Sequence, residues 1–259
     1  MRLIPMSALL LPLALLSHTA MAQEHCKFSE PRSLQLDLSG VKAVVFEVGP
    51  HEVNITASAN AKPGISGRAC ASDADRLKQL TLTQKRVGDK LVVTANRDDV
   101  LNFSWGNSNY AYLKLEASVP DNLLVNLKVG SGDSRIIGAA AISAGVGSGD
   151  VEARNIRGLV TADVGSGDID LDDIGSLQVV SVGSGDLKAR RIARDASVGS
   201  IGSGDVELHQ VGGNVTLDSV GSGDFDVRDV RGNLTVRRVG SGSVDHSGVA
   251  GTVTVPRER

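Results

Sequence analysis

The chain has 259 residues, of which 41% are hydrophobic, 22% charged and 3% aromatic, and its formal net charge is −3. This mild acidity argues against nucleic acid or an anionic membrane surface as the partner, because both are bound by basic patches. We therefore expect neither nucleic acid nor an anionic membrane surface as the partner.

Residues 1–22 predict a secretory signal peptide. Arg2 is followed by a Leu-rich apolar stretch that runs to Leu16, and Ala20-Met21-Ala22 has the A-x-A form of a cleavage site. The stretch is short and interrupted by prolines, which disfavours a membrane span. We therefore expect cleavage after Ala22, no membrane span in the remaining chain, and a periplasmic or extracellular location.

Cys26 and Cys70 are the two cysteines of the chain. In an exported protein the oxidising environment favours a disulfide between them, which would close a long loop. The alternative is a pair of reduced, buried thiols.

The chain from Cys26 to residue 120 predicts short strands. Apolar and polar residues alternate through residues 33–60, which is the period of a strand. Residues 71–80 predict one short helix with Ser72 as its N-cap. Residues 80–95 then predict a hairpin.

The pentapeptide Val-Gly-Ser-Gly-Asp occurs seven times in the C-terminal half. Successive copies are 17, 18, 18, 19, 19 and 19 residues apart, and the last copy ends in Ser243 instead of Asp. The copies begin at Val129, Val146, Val164, Val182, Ile201, Val220 and Val239. A fixed period of this length indicates a repeat architecture in which each unit buries its apolar face against its neighbours.

The apolar pattern within a repeat predicts the fold. Counted from the leading Val or Ile, positions +5, +7 and +10 are apolar in almost every copy, as in Ile169, Leu171 and Ile174. The spacing of two indicates a strand, and the step of three marks a corner. We therefore predict an all-β fold, a single-stranded parallel β-helix with coils of 18–19 residues, right-handed by the general preference of parallel crossovers. One domain is expected over residues 23–259, with irregular coils that carry inserts in 23–128 and regular GSGD repeats in 129–259.

The aspartates of the repeat are expected to stack into a column, one per coil. The column consists of Asp133, Asp150, Asp168, Asp186, Asp205 and Asp224. Carboxylates about 5 Å apart repel one another, so each needs compensation. We expect each carboxylate to accept backbone N–H groups of its own turn. The alternative is a column of calcium ions, although the calcium-binding repeat is nine residues long and separates its last Gly from Asp.

Four of the seven aromatic residues lie close together in sequence: Phe103, Trp105, Tyr110 and Tyr112. Rings in a polar loop are common contacts for sugars or proteins, so Phe103, Trp105 and Tyr110 are the expected ligand-binding residues. The alternative is a loop that folds back against the solenoid. Tyr112 is expected to belong to the following strand.

No residue pattern predicts catalysis. The serines of the repeat have no histidine at a consistent spacing, and the Gly-rich motif opens strands rather than a helix. Positions +6 and +8 carry charged side chains that predict a solvated strand face with cross-strand pairs. We therefore expect no catalytic residue, no metal site and no cofactor.

The chain resembles a known family at Tyr112–Pro120, at Val125–Val129 and in the repeated Gly-Ser-Gly-Asp units. Over residues 33–255 it is similar to the DUF4097/DUF2807 β-strand-repeat proteins of bacterial envelopes, which are labelled adhesins. The resemblance implies a parallel β-solenoid in the envelope or outside the cell, with no catalytic residues. The leading hypothesis is an exported, non-enzymatic protein that presents a rigid surface to a surface glycan or an envelope protein. The alternatives are an envelope scaffold or stress-sensing module and, as a third class, a polysaccharide-active β-helix enzyme.

Overall fold

The computed structural model describes residues 26–97 and 109–256, and most of these residues lie in short strands. The described part contains 20 strands and one helix. The strands are β1 Phe28–Gln35, β2 Ala43–Gly49, β3 Glu52–Ala57, β4 Gly64–Ala71, β5 Leu80–Val87, β6 Lys90–Arg97, β7 Ala111–Val119, β8 Leu124–Val129, β9 Asp133–Ile137, β10 Ala141–Val146, β11 Asp150–Val164, β12 Asp168–Val182, β13 Leu187–Ile192, β14 Ala196–Ile201, β15 Val206–Val211, β16 Val215–Val220, β17 Asp224–Val230, β18 Leu234–Val236, β19 Ser243–Val249 and β20 Val253–Thr254. The helix is α1, Ala74–Gln79.

The chain coils through two columns of parallel strands. The first column has the order β6, β2, β8, β10, second half of β11, second half of β12, β14, β16, β18 and β20. The second column has the order β7, β3, β9, first half of β11, first half of β12, β13, β15, β17 and β19. The predicted all-β parallel solenoid is confirmed, and its right hand stays a prediction.

The inward side chains of both columns form one continuous apolar core from Leu36 to Val236. Positions +5, +7 and +10 face this core, and Ile169, Leu171 and Ile174 are each at most 2% exposed. Full burial of an aliphatic side chain contributes about 1.5–3 kcal/mol. The in-register stacking of identical positions is therefore what holds the coils together.

The two columns are joined by two kinds of corner. The GSGD corner leads from the first column to the second, and a left-handed corner at position +9 leads back. Five non-glycine residues at position +9 have φ between 54° and 58°: Asn155, Asp173, Arg191, Gln210 and Asp229. Gly138 and Gly248 occupy the same position in the first and last regular coils, with φ of 86° and 66°. This one left-handed residue resets the alternation, so that positions +7 and +10 both face inward.

The N-terminal part contains two coils, β2–β3 and β6–β7, and a segment inserted between them in the chain. Strand β2 lies between β6 and β8 in the first column. The chain therefore leaves the coil of β2 and β3, passes through β4, α1 and β5, and returns as β6 on the side of β2 that faces away from the GSGD repeats. Strand β4 pairs antiparallel with β7 and with β1, and β5 pairs antiparallel with β6. Strands β1, β4 and β5 therefore lie antiparallel to the strands beside them, and they close the N-terminal end of the solenoid.

The N-cap of helix α1 lies one residue later in the chain than predicted. Asp73, and not Ser72, is the N-cap, and its carboxylate accepts the N–H of Arg76 at 2.9 Å. This backbone hydrogen bond holds the pKa of Asp73 below its ordinary value. The predicted hairpin over residues 80–95 is confirmed by β5 and β6.

Among the described residues no helix is long and apolar enough to cross a membrane. The predicted signal peptide, residues 1–22, lies outside the described residues.

Candidate binding surface

The GSGD corners stack directly on one another, and their glycines make this stacking possible. A Cβ atom on Gly185 would overlap the carbonyl oxygen of Gly167 in the preceding coil, and a Cβ atom on Gly204 would overlap that of Gly185. Space between coils, and not an unusual backbone angle, therefore demands glycine here. The backbone N–H of Ser184 donates to the carbonyl of Gly165 at 2.8 Å, and Ser184 is exposed.

The aspartate column forms a ladder of hydrogen bonds between coils. Asp186 Oδ1 accepts the backbone N–H of Asp205 at 3.2 Å, and Asp205 Oδ1 accepts that of Asp224 at 2.9 Å. The same bond, at 2.9–3.3 Å, is made by every member of the column: Asp133, Asp150, Asp168, Asp186, Asp205 and Asp224. The prediction that backbone N–H groups compensate the carboxylates is right, but the donor belongs to the next coil and not to the same turn.

The last coil ends the ladder with a hydroxyl. Ser243 donates both its backbone N–H, at 3.2 Å, and its Oγ hydroxyl, at 2.8 Å, to Asp224 Oδ1. Within residues 26–97 and 109–256 no group of three or more His, Cys, Asp or Glu side chains could hold a metal ion.

The outward face of the second column carries the charged side chains predicted at positions +6 and +8. Arg228 binds Asp226 of the same strand, with Nε 3.0 Å from Oδ1. This side-chain hydrogen bond raises the pKa of Arg228 above its ordinary value. Arg190 instead reaches Asp170 of the preceding coil at 3.3 Å. Pairs between residues two apart on one strand and pairs between neighbouring strands both occur on this face, so the predicted cross-strand pairs are present beside pairs within a strand.

The N-terminal end of this face carries the disulfide and two aromatic rings. Cys26 and Cys70 are bonded, with their Cα atoms 5.6 Å apart, which confirms the predicted pairing. Tyr112 lies in β7 directly opposite Cys70. The Tyr110 and Tyr112 rings are 6.1 Å apart, and the Tyr110 hydroxyl accepts the backbone N–H of Lys27 at 3.0 Å. Of the predicted ligand-binding residues, Phe103 and Trp105 lie outside the described residues.

A second ladder, which sequence reasoning missed, runs through the C-terminal coils from Asp195 to Thr252, at the start of the first-column strands. Asp195 Oδ1 accepts the N–H of Asn214 at 2.7 Å, and Asn214 Oδ1 accepts that of Asn233 at 2.9 Å. Asn233 Oδ1 then accepts the N–H of Thr252 at 2.8 Å. The signal for this ladder is a polar residue after glycine at a 19-residue spacing: Gly213-Asn214, Gly232-Asn233 and Gly251-Thr252.

These features define a parallel β-solenoid with a Gly-Ser-Gly-Asp corner and a flat, ion-paired outer face. The chain belongs to the Toastrack DUF4097 family, whose model matches residues 41–249. No curated protein matches the sequence at a significant level.

Two solved structures are similar to this chain in fold. One, from Parabacteroides distasonis, bears the name "putative lipid binding protein"; it is 19% identical, with a TM-score of 0.52 over 88% of this chain and 97% of that chain. The other, from Parabacteroides merdae, bears the name "putative adhesin"; it is 18% identical, with a TM-score of 0.50 over 88% of this chain and 96% of that chain. At these identities the similarity concerns the fold alone.

Proposed function

We propose that this chain is an exported, non-enzymatic, adhesin-like protein that presents the outer face of its second column to a surface glycan or an envelope protein. The predicted signal peptide and the Cys26–Cys70 disulfide support export, because disulfides persist in oxidising compartments. The family resemblance supports the envelope or the cell exterior as its place of action.

The rigidity of the second column carries this proposal. Strands β13, β15 and β17 stack in register, and both of their corners are tied to the neighbouring coils by hydrogen bonds. Charged side chains on this face are held by ion pairs such as Arg190–Asp170 and Arg228–Asp226. A surface whose side chains are already ordered loses little conformational entropy when a partner binds.

The aromatic end of the same face supplies the proposed anchor. Tyr110 is half-buried and fixed through its hydroxyl, which lowers the entropic cost of using its ring as a contact. Phe103, Trp105 and Tyr110 are therefore proposed as ligand contacts.

A binding screen of residues 23–259 against a glycan array and against whole bacterial and host cells tests the proposal. We expect attachment that is weakened at least tenfold by Tyr110→Ala and by the double variant Arg190→Gln with Arg228→Gln. A matched double variant on the exposed face of the first column, Gln178→Glu with Ser197→Glu, changes the net charge equally and should bind like the wild type. Attachment that is lost in the first-column variant but kept in the second-column variants would contradict the proposed surface, and turnover of a glycan in the screen would contradict the non-enzymatic role.

A further inference from the structure

A groove runs along the left-handed corner, beside the outward face of the second column. It has a volume of about 710 Å³ and spans several coils. Its walls carry five polar side chains: Asp173, Arg191, Gln210, Asp229 and Arg231. Its floor is formed by small residues, among them Ala193, Gly212 and Ala250.

The backbone of the groove floor is already used in bonds between coils. The N–H of Ala193 donates to Ile174 at 2.9 Å, and the N–H of Gly212 donates to Ile192 at 2.8 Å. The N–H of Ala250 is satisfied in the same way, by the carbonyl of Val230 at 2.8 Å. An extended peptide could therefore not bind here by adding a strand, because strand addition requires an unpaired sheet edge. Recognition in this groove must use side chains.

The side chains of the groove are balanced in charge. Asp173 and Asp229 offset Arg191 and Arg231, and Gln210 adds a neutral carboxamide. Polyanions and polycations both gain little from such a surface. Carboxylates, guanidinium groups and carboxamides are flat groups with paired donors or acceptors, which suit neighbouring hydroxyl groups. The chemistry therefore fits a neutral, polyhydroxylated ligand.

Two residues with long polar side chains, Arg191 and Gln210, occupy corner positions whose backbone conformation favours glycine. Arg191 and Gln210 have φ of 54° and 57°, a conformation that side-chain-bearing residues adopt at a cost in stability. Arg191 also binds Asp172 at 2.6 Å, and its side chain is still 54% exposed. Gly138 and Gly248 hold the same corner at the two ends of the repeat, so glycine is compatible with the fold. Strained positions that keep polar side chains are typical of functional surfaces.

We propose that this groove binds an extended, neutral polysaccharide chain that lies along the solenoid axis. Five coils, from Asp173 to Gly248, contribute to the groove, which corresponds to about 19 Å at a coil spacing of about 4.8 Å. This length accommodates several sugar rings in a row. The proposal rests on the proposed binding function and adds a site and a ligand class to it.

The test uses affinity gel electrophoresis of residues 23–259 in gels that contain dextran, pullulan, galactomannan or xyloglucan, with heparin as a polyanionic probe. We expect retardation by at least one neutral polysaccharide and none by heparin. The triple variant Arg191→Gly, Gln210→Gly and Asp229→Gly should lose at least tenfold in affinity. Because glycine suits the left-handed corner, this variant removes the side chains without disturbing the fold, and its circular dichroism spectrum should match that of the wild type.

Two further variants make the result specific to the groove. Ala193→Trp should fill the exposed groove floor and weaken binding to a similar extent. The matched control Ser184→Ala, Ser203→Ala and Ser222→Ala changes exposed side chains on the opposite corner, and it should bind like the wild type. The absence of retardation by all four polysaccharides, or retardation that survives the triple glycine variant, would overturn the proposal. Attachment of the wild-type chain to cells without retardation by any of the four polysaccharides would leave the proposed function standing while the groove proposal fails, whereas the absence of both in the wild type would remove the two together.

Discussion

Asp186 and Asp205 lie 19 residues apart in sequence, and the carboxylate of the first accepts the backbone N–H of the second at 3.2 Å. Each aspartate of the column therefore caps the start of the strand in the following coil. Because the acceptor is a side-chain oxygen, Asn could serve equally well, as it does where Asn214 accepts the N–H of Asn233 at 2.9 Å.

Two substitutions of Asp186 should distinguish the contribution of its hydrogen bond to stability from the contribution of its charge. Asp186→Ala removes the acceptor and should lower the free energy of unfolding by about 1 kcal/mol, since the N–H of Asp205 loses its protein partner. Asp186→Asn keeps an oxygen in place and should stay within about 0.5 kcal/mol of the wild type. Urea denaturation of the two variants measures the difference. An Asn variant that is as unstable as the Ala variant would contradict a role for the hydrogen bond.

Calcium should leave the stability of the solenoid unchanged. The aspartate oxygens are used as acceptors between coils, and no described group of carboxylates has the arrangement of a metal site. Melting curves in chelator and in millimolar calcium should therefore agree within about one to two degrees, because a ligand stabilises only when it binds the folded state. A large rise in Tm with calcium would show that ions occupy the column.

The second glycine of the GSGD corner should not tolerate a side chain. In Gly185→Ala the new methyl group would collide with the carbonyl oxygen of Gly167, and the coils would have to separate locally. We expect a loss of about 3 kcal/mol in the free energy of unfolding, as for severe overpacking. The neighbouring Ser184→Ala changes an exposed side chain and should cost no more than about 0.5 kcal/mol. Equal effects of the two substitutions would disprove the close approach of the corners.

The left-handed corner should respond in opposite directions to glycine and to a β-branched residue. Gln210 has φ of 57°, so Gln210→Gly relieves strain and should leave stability unchanged or raise it by up to about 1 kcal/mol. Gln210→Val should lower stability by about 1–2 kcal/mol, because a β-branched side chain fits this conformation poorly. Thermal unfolding followed by circular dichroism checks both. A destabilised glycine variant would mean that the Gln210 side chain itself stabilises the corner.

The disulfide should strongly stabilise the N-terminal end of the solenoid against unfolding. Cys26 and Cys70 are 44 residues apart, and a closed loop of this length corresponds to about 4 kcal/mol in the chain-entropy model. The double variant Cys26→Ser with Cys70→Ser should therefore unfold at a lower denaturant concentration, with β1 and β4 gaining the fastest amide exchange. Labelling of the denatured, unreduced chain with a thiol reagent should find no free thiol, and two labelled cysteines would rule the bond out.

The sequence by itself determined the repeat, the strands and the inward positions. Alternation within a strand is a property of residues two apart, so Ile169 and Leu171 could be assigned to the core without any knowledge of their neighbours. The fixed spacing of the pentapeptide then indicated that identical units stack, and the predicted signal peptide together with two cysteines predicted the disulfide. These features depend only on residue type and on spacing along the chain, and both can be taken directly from the sequence.

Only the tertiary structure decided which coil lies on which. The position of β2 between β6 and β8, the antiparallel strands at the N-terminal end, and the donor from the next coil that binds each aspartate all depend on contacts between residues far apart in sequence. The left-handed corner was visible in sequence only as a step of three, because Arg191 and Gln210 are not residues that usually mark such a conformation. The groove beside that corner likewise exists only because successive coils bring Asp173, Arg191, Gln210 and Asp229 together on one side of the solenoid.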